Sequence, residues 1–294
     1  MIRMTDQEFH TLTTYIKQHY GIDLTKKRVL IESRMAQELR SRGFSSFRQY
    51  MDVLFQDTTG QESITLLNKL TTNLSYFMRE NDHFQYLANQ VLPYLERTRK
   101  DHVLRIWSAG CSSGEEAYNI AMVIDEYFGS RKDQWDTRIL ATDLSMKVLT
   151  KAKQGIYTAE EMKDLPSRWK NKYAVALADG RFQISDKIRR EVIFRPGNLM
   201  EPFQYKKPFD LIFCRNVMIY FDQPTRDALV RRFWEAMRPG PTAYFFISHS
   251  ESLRQTPLPA DICLSGIPRA FPAPIPGILI SSLRFIKEGA DPYA

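Results

Sequence analysis

Between Ser108 and Gly114 the chain runs Ser-Ala-Gly-Cys-Ser-Ser-Gly, a stretch of small residues that lets backbone N–H groups approach a ligand. It follows an apolar run and opens a helical pattern, so those N–H groups lie at a helix N-terminus with partial positive charge. The spacing is neither GxGxxG nor that of a Walker loop. Glu115 and Glu116 stand just inside the helix, where they repel a pyrophosphate and favour a cationic ligand. Taken alone, both glutamates suit the dipole of the helix better than a ligand. Asp143 closes a second apolar run, where a carboxylate accepts hydrogen bonds from ribose hydroxyls. By itself it would serve as well to cap a helix starting near Ser145. An adenosine-containing molecule with a positive centre, an amino-acid tail and no phosphate meets all these conditions at once, and S-adenosylmethionine (SAM) has that make-up.

Such residues need a scaffold that brings strand ends together. After Asp101, apolar runs alternate with helical segments, the pattern of βαβ units on a parallel sheet. Strands are predicted at 103–107, 138–142, 192–194, 209–214 and 243–247, with a helix over about 224–237. Phe182-Gln183-Ile184, with Asp179-Gly180 as the turn, predicts a small hairpin inserted between units. Ahead of residue 103, apolar residues recur at helical spacing between caps. Thr5 and Glu8 have capping-box spacing, and Gly21 stands where a C-terminal cap belongs. A second helix from about Lys26 to Arg42 carries a basic face with Arg28, Arg34, Arg40 and Arg42.

At 294 residues the chain is about twice the usual domain length of roughly 150, so two domains are expected. Hydrophobic residues make up 43%, enough for a sizeable core, which excludes a disordered chain. No apolar run approaches the roughly 18 to 20 residues of a membrane span, and the start lacks a secretory h-region, so a cytoplasmic protein is expected. Cys111, Cys214 and Cys263 are far apart and never paired as CxxC, which suggests neither a disulfide framework nor a metal site. The net charge of +7 favours an acidic partner.

Several segments together resemble the CheR family of bacterial chemotaxis receptor methyltransferases. They are Thr71 to Glu80 (TTNLSYFMRE), Ser108 to Glu116, Ala141-Thr142-Asp143, Gly197-Asn198-Leu199, Phe213 to Phe221 (FCRNVMIYF) and His249-Ser250-Glu251. The resemblance runs in order over about residues 5 to 252. It implies an α/β fold: a Rossmann-like SAM-dependent methyltransferase domain with a small β subdomain, preceded by an all-helical N-terminal domain. The domains would span 1–72 and 73–294, with a linking helix at about 81–99 and the β subdomain at about 174–194.

The activity so implied is methyl esterification of glutamate side chains on the cytoplasmic helical bundle of chemoreceptors, with SAM as cofactor and S-adenosylhomocysteine as product. The SAM site would comprise Asn73, Ser75, Arg79, Glu116, Asp143, Asn198, Leu199, Asn216 and Val217, Ser75 standing where the family usually has threonine. Arg79 and Tyr220 would lie nearest the transferring methyl, and His249 receives no chemical role. A glutamate carboxylate, with a reference pKa of about 4.3, is ionised at neutral pH, so transfer needs in-line placement in a dry site and no general base.

Two departures from the family stand out. Ala176 to Arg181 lacks the Gly-rich GxGP element of members that bind a receptor-tail pentapeptide, so tail-independent action is expected. Beyond about Leu253 the match ends; Pro257, Pro259, Pro268, Pro272, Pro274 and Pro276 leave only Ile278 to Ile286 for a final strand. A nucleic-acid methyltransferase is the rival enzyme, but Arg215-Asn216-Val217-Met218 replaces the (N/D)PPY-like segment of amino-directed base methylases. A SAM-sensing module without transfer activity is the non-enzymatic alternative. The expected partners therefore exclude nucleic acid and membrane insertion, and the enzyme is expected to act as a monomer.

Overall fold

The computed structural model describes residues 2–70, 74–239, 243–253 and the backbone of 282–285. The chain divides into two compact units, Met1–Leu74 with Tyr220–Thr225, and Ser75–Ile219 with Arg226–Ala294.

Among the described residues the first unit holds four helices, α1 (Asp6–Tyr20), α2 (Arg28–Ser41), α3 (Phe47–Gln56) and α4 (Gln61–Leu70). The capping box at the start of α1 forms in full, and Gly21 ends the helix at φ 71°, where a side chain would be strained. Leu12, Ile16, Ile31, Met35, Leu39, Tyr50, Leu54 and Leu66 are buried. Much of the basic face of α2 is committed locally. Arg28 pairs with Asp6 at 2.7 Å, Arg42 grips Glu62 with two hydrogen bonds, and Arg34 caps α4 by donating to the Leu70 carbonyl. Lys26, Lys27 and Arg40 remain exposed. Residues 220–225 belong to this unit through an antiparallel bridge between Ile22 and Phe221 and an ion pair between Lys17 and Asp222 at 2.6 Å.

The second unit opens with a continuous helical run: α5 (Asn81–Tyr86), a π-turn (Leu87–Val91) and α6 (Leu92–Thr98). Then come β1 (Ile106–Ala109), α7 (Glu115–Phe128), β2 (Ile139–Asp143), α8 (Met146–Gln154) and β3 (Ile156–Tyr157). After α9 (Ser167–Tyr173) follow β4 (Ala174–Ala176), β5 (Phe182–Ile184), α10 (Asp186–Arg189) and β6 (Val192–Pro196). The unit ends with β7 (Leu211–Phe213), α11 (Gln223–Ala236, its first turn in the other unit), β8 (Ala243–Phe246) and β9 (Ser282–Phe285).

The main sheet has the order β6-β2-β1-β7-β8-β9, parallel except for β9. On one face, Ile106, Ile139, Ala141, Phe194, Leu211 and Phe213 join Leu87, Val91, Tyr118, Ile124 and Leu149 in a single buried core. On the other, Trp107 packs against Phe203, Phe209 and Phe233.

The first strand starts at Ile106 rather than at 103. Val103 makes only an isolated bridge to Asp136, and the first strand continues through Ser108 and Ala109, residues whose size suggested a loop. The hairpin appears as β4 and β5, but its sheet also takes in β3, whereas β6, which begins at 192, belongs to the main sheet. The final strand forms at Ser282–Phe285 and pairs antiparallel with β8; the proline-rich residues before it lie outside the described residues.

Candidate active site

Parallel pairing brings the carboxyl ends of β6, β2, β1 and β7 side by side, and the candidate residues follow those ends. After β1 the chain turns through Gly110 at φ 84°, with the Gly110 and Cys111 N–H groups donating to the Thr142 carbonyl at 2.8 and 2.9 Å. A Cβ on Gly110 would lie 2.4 Å from Val217 Cγ2, so the loop after β1 and the loop after β7 touch where only glycine fits. Gly114, at φ 98°, is confined in the same way by Ala152. Ser112 also has positive φ, and its Oγ is buried with no hydrogen-bond partner among the described residues.

Asp143 ties this loop to the start of α8. Its Oδ2 accepts the Ser112 N–H and its Oδ1 the Ser145 N–H, each at 2.9 Å. Burial pushes its carboxyl above the usual range, against the pull of those backbone donors. The local helix cap is provided by Ser145 itself, whose side chain accepts from Val148. Asn198, after β6, turns its Oδ1 to the Met200 N–H at 2.9 Å, with half-buried Leu199 between them.

Glu116 accepts from Ser108 Oγ at 2.7 Å and from Arg215 Nη1 at 3.0 Å. Glu115 turns away, and its two carboxylate oxygens share the Ser113 hydroxyl proton at 2.8 and 2.9 Å. Arg215 is the residue whose role the sequence did not disclose. Its side chain is 2% exposed, and besides Glu116 it reaches Glu80 at 3.2 Å and the Arg79 carbonyl, and lies over the Phe84 ring. An arginine directly after the apolar run Leu211 to Cys214 was the available signal, because a cation there must find buried carboxylates.

Around this centre, Asn216, itself at φ 60°, donates to Ser248 Oγ at 2.6 Å, and Glu251 accepts from the backbone of Asn216 and Ser248. Burial would raise Glu80, but the Ser248 hydroxyl and the Arg215 charge outweigh it and hold the carboxyl at about 2. His83 is fully buried, and burial together with the Arg215 charge pulls it down to about 3, with Glu80 opposing. Glu80, His83 and His249 bring potential ligand atoms within 4.8 Å of one another, but the nearby Arg215 charge works against a cation there. His249 pairs with Asp82 at 2.9 Å.

Ser75 and Arg79 are half-buried, and Arg79 lies over the Tyr76 ring at 5.6 Å. Asn73 lies outside the described residues. Tyr220 ends a 3₁₀ turn, and its carbonyl accepts from the Asp23 N–H at 2.9 Å within the helical unit. The close approach at Gly110, the orphaned Ser112 hydroxyl and the acidic side chains at the strand ends suit a cationic adenosine ligand.

A family model for the CheR methyltransferase SAM binding domain matches residues 73–264, and one for the CheR methyltransferase all-alpha domain matches residues 7–71. This chain belongs to the CheR methyltransferase family. It is a SAM-dependent chemotaxis protein methyltransferase. The chemotaxis protein methyltransferase of Borreliella burgdorferi is 42% identical over 258 residues, 86% of this chain and 90% of the relative. Chemotaxis protein methyltransferase 2 of Vibrio cholerae is 38% identical over 255 residues, 86% and 88% of the two chains. The Escherichia coli relative is 35% identical over 256 residues, 85% and 86%.

Two outcomes follow for this CheR methyltransferase. Gly110→Ala should lower stability to chemical unfolding by about 2 to 4 kcal/mol through overpacking and left-handed strain, and adding Val217→Ala should recover part of that loss. Loss without any recovery would mean that the contact with Val217 is not limiting. His83 has its folded pKa below the unfolded value of 6.5, so the unfolded chain binds more protons and stability falls as pH drops through the window from 6.5 to about 3. Melting temperatures recorded from pH 7 to pH 4 should therefore decline less steeply in His83→Gln than in the parent chain, and identical slopes would contradict a buried neutral imidazole.

Proposed function

We propose that this enzyme methylates the side-chain carboxylates of glutamates on the cytoplasmic helical bundle of bacterial chemoreceptors, giving a methyl ester and S-adenosylhomocysteine. The observation that carries this reading is the gathering of Glu116, Asp143, Asn198 and Asn216 beyond neighbouring strand ends of a CheR-family sheet. Asn73, Ser75, Arg79, Glu116, Asp143, Asn198, Leu199, Asn216 and Val217 would hold SAM, which supplies an electrophilic methyl on its sulfonium. The Asp143 carboxylate has lone pairs left for ribose hydroxyls beside the N–H bonds it already accepts. Arg79 holds a carboxylate, that of the methionine moiety or of the substrate glutamate. The Tyr220 hydroxyl orients the incoming oxygen.

No residue needs to remove a proton, because the glutamate is ionised well above its reference pKa of about 4.3. The contribution of the chain is alignment in line with the methyl and exclusion of water from the carboxylate. The same reading assigns 1–72 to a receptor-facing helical domain, where Lys26, Lys27 and Arg40 meet acidic receptor helices, and 73–294 to the catalytic domain. Within the latter, about 81–99 forms the linking helix and about 174–194 the small β subdomain. The enzyme works in the cytoplasm as a monomer. It acts without a tethering pentapeptide, a reading supported by the short β4–β5 connection, in which Leu177 and Arg181 already pair.

Incubation with tritiated SAM and cytoplasmic receptor fragments should label the receptor, and mild base should release the label as methanol. Base-stable label would move the acceptor to nitrogen, and no transfer despite SAM binding would favour a sensing role. Tyr220→Phe should reduce kcat by about tenfold or more while the Kd for SAM stays within about twofold; equal losses in both would make the tyrosine a binding residue.

A further inference from the structure

A parallel sheet normally has both faces covered by the helices of its crossovers. Here the β6 to β7 crossover, residues 197–210, contains no helix. The register places Trp107, Leu140 and Ile193 in one row across β1, β2 and β6, on the face that α11 covers. Helix α11 reaches the Trp107 end of that row through Phe233, but Ile193 is left 40% exposed and Leu140 half-buried. In the place of a helix there is a groove of about 520 Å³, floored by Leu140 and Ile193 and bounded by Tyr205, itself 40% exposed.

The rim of the groove is cationic. Arg105 and Arg138 border it from the sheet, and Lys206 and Lys207 from the crossover. The sole acidic lining residue, Asp136, is already held by Arg138 through two hydrogen bonds of 2.9 Å. The side chains of Arg105, Lys206 and Lys207 make no hydrogen bond or ion pair among the described residues. The groove lies at the amino ends of β1, β2 and β6, whereas the candidate SAM residues follow the carboxyl ends. Its positive potential repels a sulfonium.

We propose that this groove is a second ligand site that binds a nucleotide. The flat base lies on the apolar floor against Tyr205, and the phosphates meet Arg105, Lys206 and Lys207. The volume suits one small ligand, since such sites commonly measure about 300 to 1,000 Å³. An exposed tyrosine beside unpaired cations provides both contacts a nucleotide uses, stacking and phosphate pairing. A ligand with only a phosphate would leave the apolar floor open to water, and an apolar ligand would leave the cations unmatched.

The test uses the full-length protein saturated with S-adenosylhomocysteine and the fluorescence anisotropy of N-methylanthraniloyl-ADP. Saturable binding with Kd below about 100 μM is expected, weakened about tenfold or more both in the Lys206→Glu/Lys207→Glu variant and in Tyr205→Ala. Affinity of both variants for S-adenosylhomocysteine should stay within about twofold of the parent, which separates loss of the groove from loss of the fold. The proposal is overturned by no saturation up to about 1 mM, by nucleotide binding that the charge reversal leaves unchanged, or by displacement of the probe by S-adenosylhomocysteine. Competition by inorganic pyrophosphate as strong as by ADP would overturn it too, since the groove would then read phosphate alone.

Discussion

Arg215 brings into the interior a charge that no physiological pH removes, and the surrounding chain is arranged to compensate it. The guanidinium joins the end of β7 to the first turn of α7 through Glu116, and to the segment before α5 through Glu80 and the Arg79 carbonyl. Leaving a buried charge uncompensated costs several kcal/mol, so these elements are held in one relative position. Arg79, Glu116 and Asn216 are all bonded to this cation or adjacent to a residue that is. Their placement is consequently a matter of charge balance more than of local loop preference.

The small residues after β1 acquire a second meaning in three dimensions. They permit close backbone approach, but two of them are also confined by neighbouring elements, Gly110 by Val217 after β7 and Gly114 by Ala152 in α8, as Gly197 after β6 is by Thr142 in β2. A larger residue at any of them would push one strand end away from the next. The loop thus ties together the carboxyl ends of β1, β2, β6 and β7, and its shape is fixed from both sides.

Much of this was legible in the sequence, for identifiable reasons. Helix α1 announced itself through its caps, α2 through a 3.6-residue apolar stripe, and the parallel strands through short apolar runs, because both periodicities are local properties. The first strand was misplaced by about three residues because Ser108 and Ala109 are small, and small residues read as loop even when β2 and β7 cover them. Asp143 and Glu116 were found from their positions after a strand and at a helix start. The Arg215 cluster escaped because Glu80, Glu116, Arg215 itself and the turn from Ser248 to Glu251 come from four distant stretches of chain, and no spacing rule links them. Similarly, α2 reads in sequence as a helix with a basic face, and only tertiary structure shows that Arg34 and Arg42 are spent inside the helical unit.

The last strand carries a consequence for handling the protein. Residues 282–285 lie past the end of the matched methyltransferase domain at residue 264, so a shortened chain drawn to the family limits would omit them. In their absence Ala243-Tyr244-Phe245-Phe246 would become an open sheet edge, a row of unpaired N–H and C=O groups flanked by aromatic side chains. Such an edge is a template for the same segment of another molecule. The four residues in β9 keep the sheet from growing beyond its own chain.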